Sequence, residues 1–175
     1  MLKFVDPSAV VAELGLKSGD IVADLGCGAG FYSVGAGRVV GSSGMVYAVD
    51  VQEAKLAATQ SNAKQHNLKN IMAVKADLEK PLLTIGESSC DAVIVASILH
   101  EIGSRDALMK NAYRLLKTGG QLLAVEWKKQ MTPFGPPLEN RLAPEKLREM
   151  LTALGMRPAR EIPADSYHYA IVFVK

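Results

Sequence analysis

The sequence predicts an α/β fold in which a mostly parallel sheet carries helices on both faces. Two observations lead there. Short apolar runs alternate along the chain with longer helical stretches, the order that crossover-connected parallel strands require. The run Asp91 to Ala96 is the most continuously apolar, as a central strand buried on both faces must be. The length of 175 residues fits one domain over residues 1–175, and a domain of this size buries roughly 70% of its unfolded surface. With 49% hydrophobic residues, a core needs no metals or disulfides.

Each element has its own signal. Asp6-Pro7 marks a helix start, an N-cap followed by proline, within an N-terminal helical segment 1–16 that Gly15 ends. Ile21 to Leu25 is the first strand. A helix follows from about Tyr32 to Val40, although Gly35 and Gly37 each weaken it by about 1 kcal/mol relative to alanine, a cost that close packing of helix on sheet explains. Met45 to Val49 is the second strand, closed by Asp50, and the Ala-, Lys- and Gln-rich stretch Glu53 to His66 is helical. Ile71 to Val74 is the third strand, ending near Asp77, and Leu78 to Ser89 reads mostly as loop. After the fourth strand, Ser104 to Leu116 is a helix that Gly119-Gly120 terminates, and Gln121 to Glu126 is the fifth strand. A proline-rich loop runs to Ala143, and Pro144 to Leu154 is a helix stopped by Gly155. Two short strands follow, around Arg160 and from Tyr169 to Val174. Periodicity does not give the strand order.

Charge and cysteine usage narrow the function classes. Twenty basic and 18 acidic side chains give a net charge of +2, too balanced for a nucleic-acid track or an anionic membrane surface. No stretch approaches the roughly 18 apolar residues of a membrane span. A cytoplasmic protein with a small-molecule or protein partner is expected, with Cys27 and Cys90 as reduced thiols. Two cysteines and three scattered histidines do not make a structural zinc site.

The chemistry begins at the first strand-to-helix turn. Gly26, Gly28 and Gly30 remove side chains where a ligand must approach the backbone, and such turns lie at the carboxyl ends of strands, where open α/β sheets bind ligands. Three glycines also make a plain tight turn. A dinucleotide fingerprint needs G-x-G-x-x-G, so that a helix N-terminus meets a pyrophosphate. Here the pattern is D-x-G-x-G-x-G, with Phe31 where that fingerprint has its last glycine. Asp24, two places before the first glycine, disfavours a phosphate and suits an ammonium group. Asp50, at the end of the second strand, is placed to accept hydrogen bonds from both hydroxyls of a ribose. Asp77, after the third strand, serves either as acceptor for an adenine amine or as a helix cap. Three carboxylates at three successive strand ends describe a pocket for an adenosine that carries a cation in place of phosphates.

These residues resemble the motifs of class I S-adenosylmethionine-dependent methyltransferases, and the resemblance runs over essentially the whole chain. Val22-Ala23-Asp24-Leu25-Gly26-Cys27-Gly28-Ala29-Gly30 is similar to the family's first motif. Val49-Asp50 is similar to its ribose motif, Ala76-Asp77 to its adenine motif, and Leu115-Leu116-Lys117-Thr118-Gly119-Gly120 to its turn into the fifth strand. The resemblance implies a Rossmann-like, doubly wound, seven-stranded sheet whose last strand is antiparallel, with residues 156–175 supplying the hairpin. It implies S-adenosyl-L-methionine as cofactor, Asp24 near the methionine amino group, and the Leu78 backbone amide on adenine. Ala96 and Ser97 would line the methionine end, and Cys27 and Val51 belong to the same cofactor-binding segments. The segment Ser97-Ile98-Leu99-His100-Glu101-Ile102 resembles that of small-molecule methyltransferases of the ubiquinone/menaquinone-biosynthesis and arsenite type.

Absences trim the acceptor class. Two cysteines do not supply the thiols that hold a metalloid, and no Asn/Asp-Pro-Pro-Tyr/Phe follows the fourth strand. The paired-glutamate loop of arginine methyltransferases and a Mg²⁺ triad are missing too. A metal-independent enzyme with a small or amphiphilic acceptor remains, with nucleic acid disfavoured, as a monomer or homodimer. His100 is the candidate general base, where a polar residue at a helix approach is the plainer reading. Glu101 would orient it or face solvent. Glu126 and Trp127 end the fifth strand on the same rim, and Phe134 and Arg141 lie in a 127–143 loop long enough to be a lid over the acceptor. Tyr167 and His168 read as edge or core residues. Two other classes stay open: a nicotinamide-dependent oxidoreductase, and a non-catalytic S-adenosylmethionine-binding regulatory partner.

Overall fold

Period-two alternation along the central strand divides the molecule into layers. In β4 (Cys90–Ala96), Ala92, Ile94 and Ala96 join one apolar cluster and Val93 and Val95 join another, so both faces are buried. The computed structural model describes residues 5–175, so the beginning of the N-terminal helical segment lies outside the described residues. The remaining strands are β1 (Ile21–Leu25), β2 (Met45–Asp50), β3 (Ile71–Lys75), β5 (Leu116–Trp127), β6 (Arg157–Ile162) and β7 (His168–Val174). The helices are α1 (Pro7–Ala12), α2 (Phe31–Val40), α3 (Glu53–Gln65), α4 (Arg105–Leu115) and α5 (Pro144–Ala153).

The strands of the described residues form one seven-stranded sheet in the order β3-β2-β1-β4-β5-β7-β6. The first five pair in parallel, and β7 runs antiparallel to both β5 and β6. The chain therefore winds outward from β1 to β3, then returns to the other side of β1 with β4. That reversal leaves a crevice above the carboxyl ends of β1 and β4, where doubly wound sheets bind ligands. On one face α1 and α2 pack through Val10, Val11, Leu14, Ala36 and Val40. On the other, α4 and α5 contribute Leu108, Met109, Leu115, Leu147 and Leu151. Among the described residues no helix is long and apolar enough to cross a membrane.

Several boundaries differ from those expected of the sequence, for identifiable reasons. Asp6 caps α1 through its carboxylate, which accepts from the Ser8 and Ala9 amides, yet the helix ends at Ala12, before Gly15. Gly35 is excused by helix-on-helix contact, since a Cβ there would sit 3.5 Å from the Ser8 Cα in the first turn of α1. Gly37 does face the sheet, where a Cβ would lie 3.2 Å from the Ile71 side chain. The Gly119-Gly120 pair does not end α4. Leu116 already has extended dihedrals and pairs with Cys90, and the register then jumps to Ala92↔Gln121, so the glycines form a bulge inside β5. Gly119 has φ 81°, and its amide donates to the Lys175 carbonyl.

Candidate active site

The loop after β1 is held from three sides. The Gly26 and Cys27 amides both donate to the Val49 carbonyl at the end of β2, at 2.8 and 3.0 Å. The Gly28 amide donates to Asp50 Oδ2 at 3.1 Å. From α3, the Thr59 hydroxyl donates to the Gly28 carbonyl and the Asn62 amide to the Ala29 carbonyl. Gly26 (φ 81°) and Gly30 (φ 80°) have no alternative residue: a Cβ would lie 2.8 Å from Ile98 at the first and 2.7 Å from Thr59 at the second. At Gly28 no atom lies within 4 Å of an added Cβ, so the backbone there borders open space.

That space is a cavity of about 410 Å³. Of the residues expected to bind the cofactor, Asp24, Gly26, Cys27, Gly28, Asp50, Val51, Asp77, Leu78, Ala96 and Ser97 line it. Gly30 does not. It is the N-cap of α2, and its contribution is the turn itself.

The electrostatics of the cavity favour a cation. Asp24 is 1% exposed, and among the described residues the side chain bonded to it is Ser33, whose hydroxyl donates to Oδ2 at 2.6 Å. Burial, helped by the charge of Asp50, outweighs that bond and pushes the Asp24 carboxyl up to about 6. Asp50 is oriented by the Gly28 and Gln52 amides, which occupy one lone pair on each oxygen and leave room for further donors. Asp77 is more exposed. The Glu79 amide and then Lys80 hold its carboxyl below the usual carboxylate range.

The segment after Asp77 is pinned by a residue that sequence reasoning missed. Asn111, buried in α4, accepts from the Leu82 amide and donates to the Leu78 and Lys80 carbonyls. Its only sequence signal was an amide on the apolar face of a helix. On the β4 side, Ser97 has φ 52°, a left-handed conformation rare outside glycine, held by a bond from its amide to the Val125 carbonyl. No sequence pattern marks it. Tyr32, Phe31, Ile98, Glu101 and Ile102 also line the cavity, with no motif that marked them as cofactor residues.

His100, Glu126, Trp127, Phe134 and Arg141 do not line the cavity. His100 and Glu126 nevertheless form a tight pair behind it: His100 Nδ1 lies 2.9 Å from Glu126 Oε1. Glu126 is fully buried and also accepts the Leu99 and Trp127 amides, each at 2.8 Å. The orienting carboxylate is thus Glu126. Glu101 sits on the other ring nitrogen, 3.4 Å from Nε2. Burial opposes charge on His100, but the bond to Glu126, its charge and the nearness of Glu101 raise its pKa.

Arg141, expected beside the acceptor, is held within its own loop. It is 3% exposed, and its guanidinium donates to the Pro136, Lys128, Gln130 and Phe134 carbonyls and to the Thr132 hydroxyl. It folds the 128–141 loop around itself, as the planar five-donor guanidinium allows. Trp127 lies under it at 5.2 Å, packs against His168 at 4.1 Å and meets Phe134 edge-on. Phe134 in turn packs on Tyr167. His168 is buried and held by Asp165. These contacts order the loop internally, and none of residues 127–143 lines the cavity.

Known proteins point the same way. A methyltransferase-domain family model matches residues 16–159. A ubiquinone/menaquinone biosynthesis C-methyltransferase of Marinomonas sp. is 28% identical over 91% of this chain and 61% of its own length. One from Chromobacterium violaceum is 33% identical over 70% of this chain and 49% of its own. The chain therefore spans about half to three-fifths of the length of these relatives. The crystal structure of a SAM-dependent methyltransferase from Aquifex aeolicus superposes with a TM-score of 0.87, at 29% identity, over 98% of this chain and 91% of that one.

Proposed function

The chain belongs to the class I S-adenosylmethionine-dependent methyltransferases, and from that premise we propose that it methylates a small or amphiphilic acceptor without a metal, using His100 as general base. The observation that carries the acceptor class is the lip of the cavity. Phe31, 64% exposed, lines the cavity with Ile98 and Ile102 and with the carboxylates of Glu79 and Glu101, against a single lysine, Lys55. Apolar side chains next to negative charge suit an amphiphilic molecule and repel a phosphate backbone. The similarity to ubiquinone/menaquinone biosynthesis C-methyltransferases supports the same acceptor class. The family sets aside the nicotinamide-dependent oxidoreductase.

The residues present fit S-adenosylmethionine. Asp24, buried and short of partners, receives the ammonium of the methionine moiety. Asp50 takes the ribose hydroxyls, and Asp77 with the Leu78 amide takes adenine. Ala96 and Ser97 border the methionine end. When bound, the cofactor supplies a methyl group on a sulfonium, an electrophile with a strong leaving group. The protein's task is then to align the acceptor in line with that carbon and exclude water. His100 takes the acceptor's proton where one must be lost. Among the described residues, no three His, Cys, Asp or Glu side chains come together to hold a metal ion.

Transfer of a labelled methyl group from S-adenosylmethionine to a panel of phenols, hydroquinones, thiols and primary amines, with and without EDTA, tests this reading. Transfer to a panel member that EDTA leaves unchanged is expected. Abolition by EDTA with rescue by Mg²⁺ would refute the metal-free mechanism, and transfer confined to RNA or protein would refute the acceptor class.

A further inference from the structure

The pair behind the cavity goes further than the base reading on which it rests. We propose that Glu126 is a positioning residue that locks His100 as the Nδ1–H tautomer, so that the basic Nε2 faces Glu101 at the cavity wall and Glu101 carries its proton to water. Three bonds hold Glu126. Leu99 N–H donates to Oε2, Trp127 N–H donates to Oε1, and His100 Nδ1 approaches Oε1 at 2.9 Å. Both backbone donors are fixed, and the carboxylate is fully buried. An ionised carboxylate has no proton to give, so the hydrogen between it and Nδ1 belongs to the imidazole. The lone pair of the neutral ring is then on Nε2.

Glu101 is suited to the second part. Its carboxylate is 3.4 Å from Nε2, longer than a strong charged hydrogen bond, and its side chain is 63% exposed. It also lines the cavity that His100 does not reach. A rotamer change of this exposed side chain uncovers Nε2 and opens the path from the cavity to the base. In a turnover, the acceptor's X–H bond breaks and its proton forms Nε2–H. The electron pair left behind makes the new bond to the methyl carbon, and the sulfonium's carbon–sulfur bond breaks with its pair going to sulfur. Nε2 then passes the proton to Glu101 and on to solvent, which restores the starting tautomer.

The titratable and charged groups around the pair come from several elements. Tyr32 of α2 and Tyr169 of β7 both feel the Glu126 charge, and Arg105 of α4 donates to the Leu99 carbonyl. Glu126 and Glu101 are the groups that raise the His100 pKa.

Two-bond ¹H–¹⁵N spectra of the imidazoles read the tautomer without any acceptor, and the chain has three histidines to resolve. The full-length protein is compared with Glu126→Gln and Glu101→Gln across the pH range. Above its pKa, wild-type His100 is expected as Nδ1–H; an Nε2–H signal there overturns the proposal even if no variant folds. Glutamine at 126 has one oxygen for two positions that both accept: an NH2 turned toward Nδ1 also faces the Trp127 N–H, and an oxygen there still accepts from Nδ1–H while the NH2 faces the Leu99 N–H. Either way the carboxylate charge is gone, and the His100 pKa should fall by about one to three pH units. An unmoved His100 pKa in folded Glu126→Gln overturns the positioning role. Glu101→Gln should lower the pKa by less and leave the tautomer alone; an unmoved pKa removes Glu101 from the relay. His100→Gln, assayed on the acceptor panel, separates the two readings. Full transfer in that variant defeats the base assignment even where the spectra behave as expected. Loss of transfer with unmoved spectra in Glu126→Gln defeats the positioning role alone.

Discussion

At Asp24 a carboxylate is buried with Ser33 as its side-chain partner, an arrangement that is unfavourable until a cation arrives. Its pKa of about 6 sets a pH dependence whose sign is fixed. A cationic ligand binds the ionised form, so cofactor affinity should fall about tenfold per pH unit below about 6 and level off above it. Calorimetric titration with S-adenosylhomocysteine from pH 5 to 8 checks this, and a flat profile would contradict it. The stability sign is opposite. The folded pKa exceeds the unfolded value, so the ligand-free protein loses stability as pH rises from the unfolded value through about 6. Asp24→Asn, which can still accept from Ser33, should therefore raise the thermal midpoint of the ligand-free protein at pH 7 by several degrees while abolishing cofactor binding. The corresponding gain is on the order of 2–3 kcal/mol. His100 behaves in the usual histidine way. Its raised pKa means that the His100⁺–Glu126⁻ pair contributes stability that is full below the unfolded pKa and is lost as pH rises through the folded one. The methyl-transfer rate should rise over that same window, which a pH–rate profile with an active acceptor will show.

The 128–141 loop is the element to which the structure adds most beyond the sequence. Its prolines, Phe134 and Arg141 gave a sound signal that it was more than a connector. They gave no signal of which way Arg141 points, because its partners are loop carbonyls and a loop hydroxyl rather than members of any motif. Arg141→Ala should cost roughly 1–3 kcal/mol through the buried acceptors it leaves unpaired. Cofactor affinity should change little. Arg141→Lys should not rescue it, since an ammonium cannot present the same fork. Thermal melts of both variants, with calorimetry in parallel, decide this; an unaltered midpoint in Arg141→Ala would contradict it. The glycine loop is the reverse case. Its positive φ values and the close approaches of Ile98 and Thr59 explain why Gly26 and Gly30 stand where they do. The spacing D-x-G-x-G-x-G was therefore legible in the residues themselves. Ser97 was legible only through family resemblance, because its left-handed backbone follows from tertiary pairing with Val125.

Across the whole molecule, the strand-helix alternation led directly to the sheet, whereas the order β3-β2-β1-β4-β5-β7-β6 depends on long-range pairing that periodicity does not carry. That order matters for function, since the reversal at β1/β4 brings Asp24, Gly28, Ala96 and Ser97 to one crevice. Asp50 and Asp77, read with Asp24 as one pocket at three strand ends, line that same cavity. The buried pairing of His100 with Glu126 joins the segment after β4 to the end of β5 and was beyond reach of local pattern. Ligand binding to this crevice should stabilise the entire domain by mass action. At a hundredfold excess over Kd the gain is about 2.7 kcal/mol, or roughly 5–10 °C in the thermal midpoint. S-adenosylmethionine and S-adenosylhomocysteine should produce this rise and NAD should not.

The most direct test of the cofactor site is calorimetric titration of S-adenosylhomocysteine into the wild-type protein and Asp50→Ala at pH 7.5. Binding of one equivalent to the wild type and at least a tenfold weaker affinity in the variant are predicted. Equal affinity in the two proteins would contradict the placement of the ribose at Asp50, and with it the site as described.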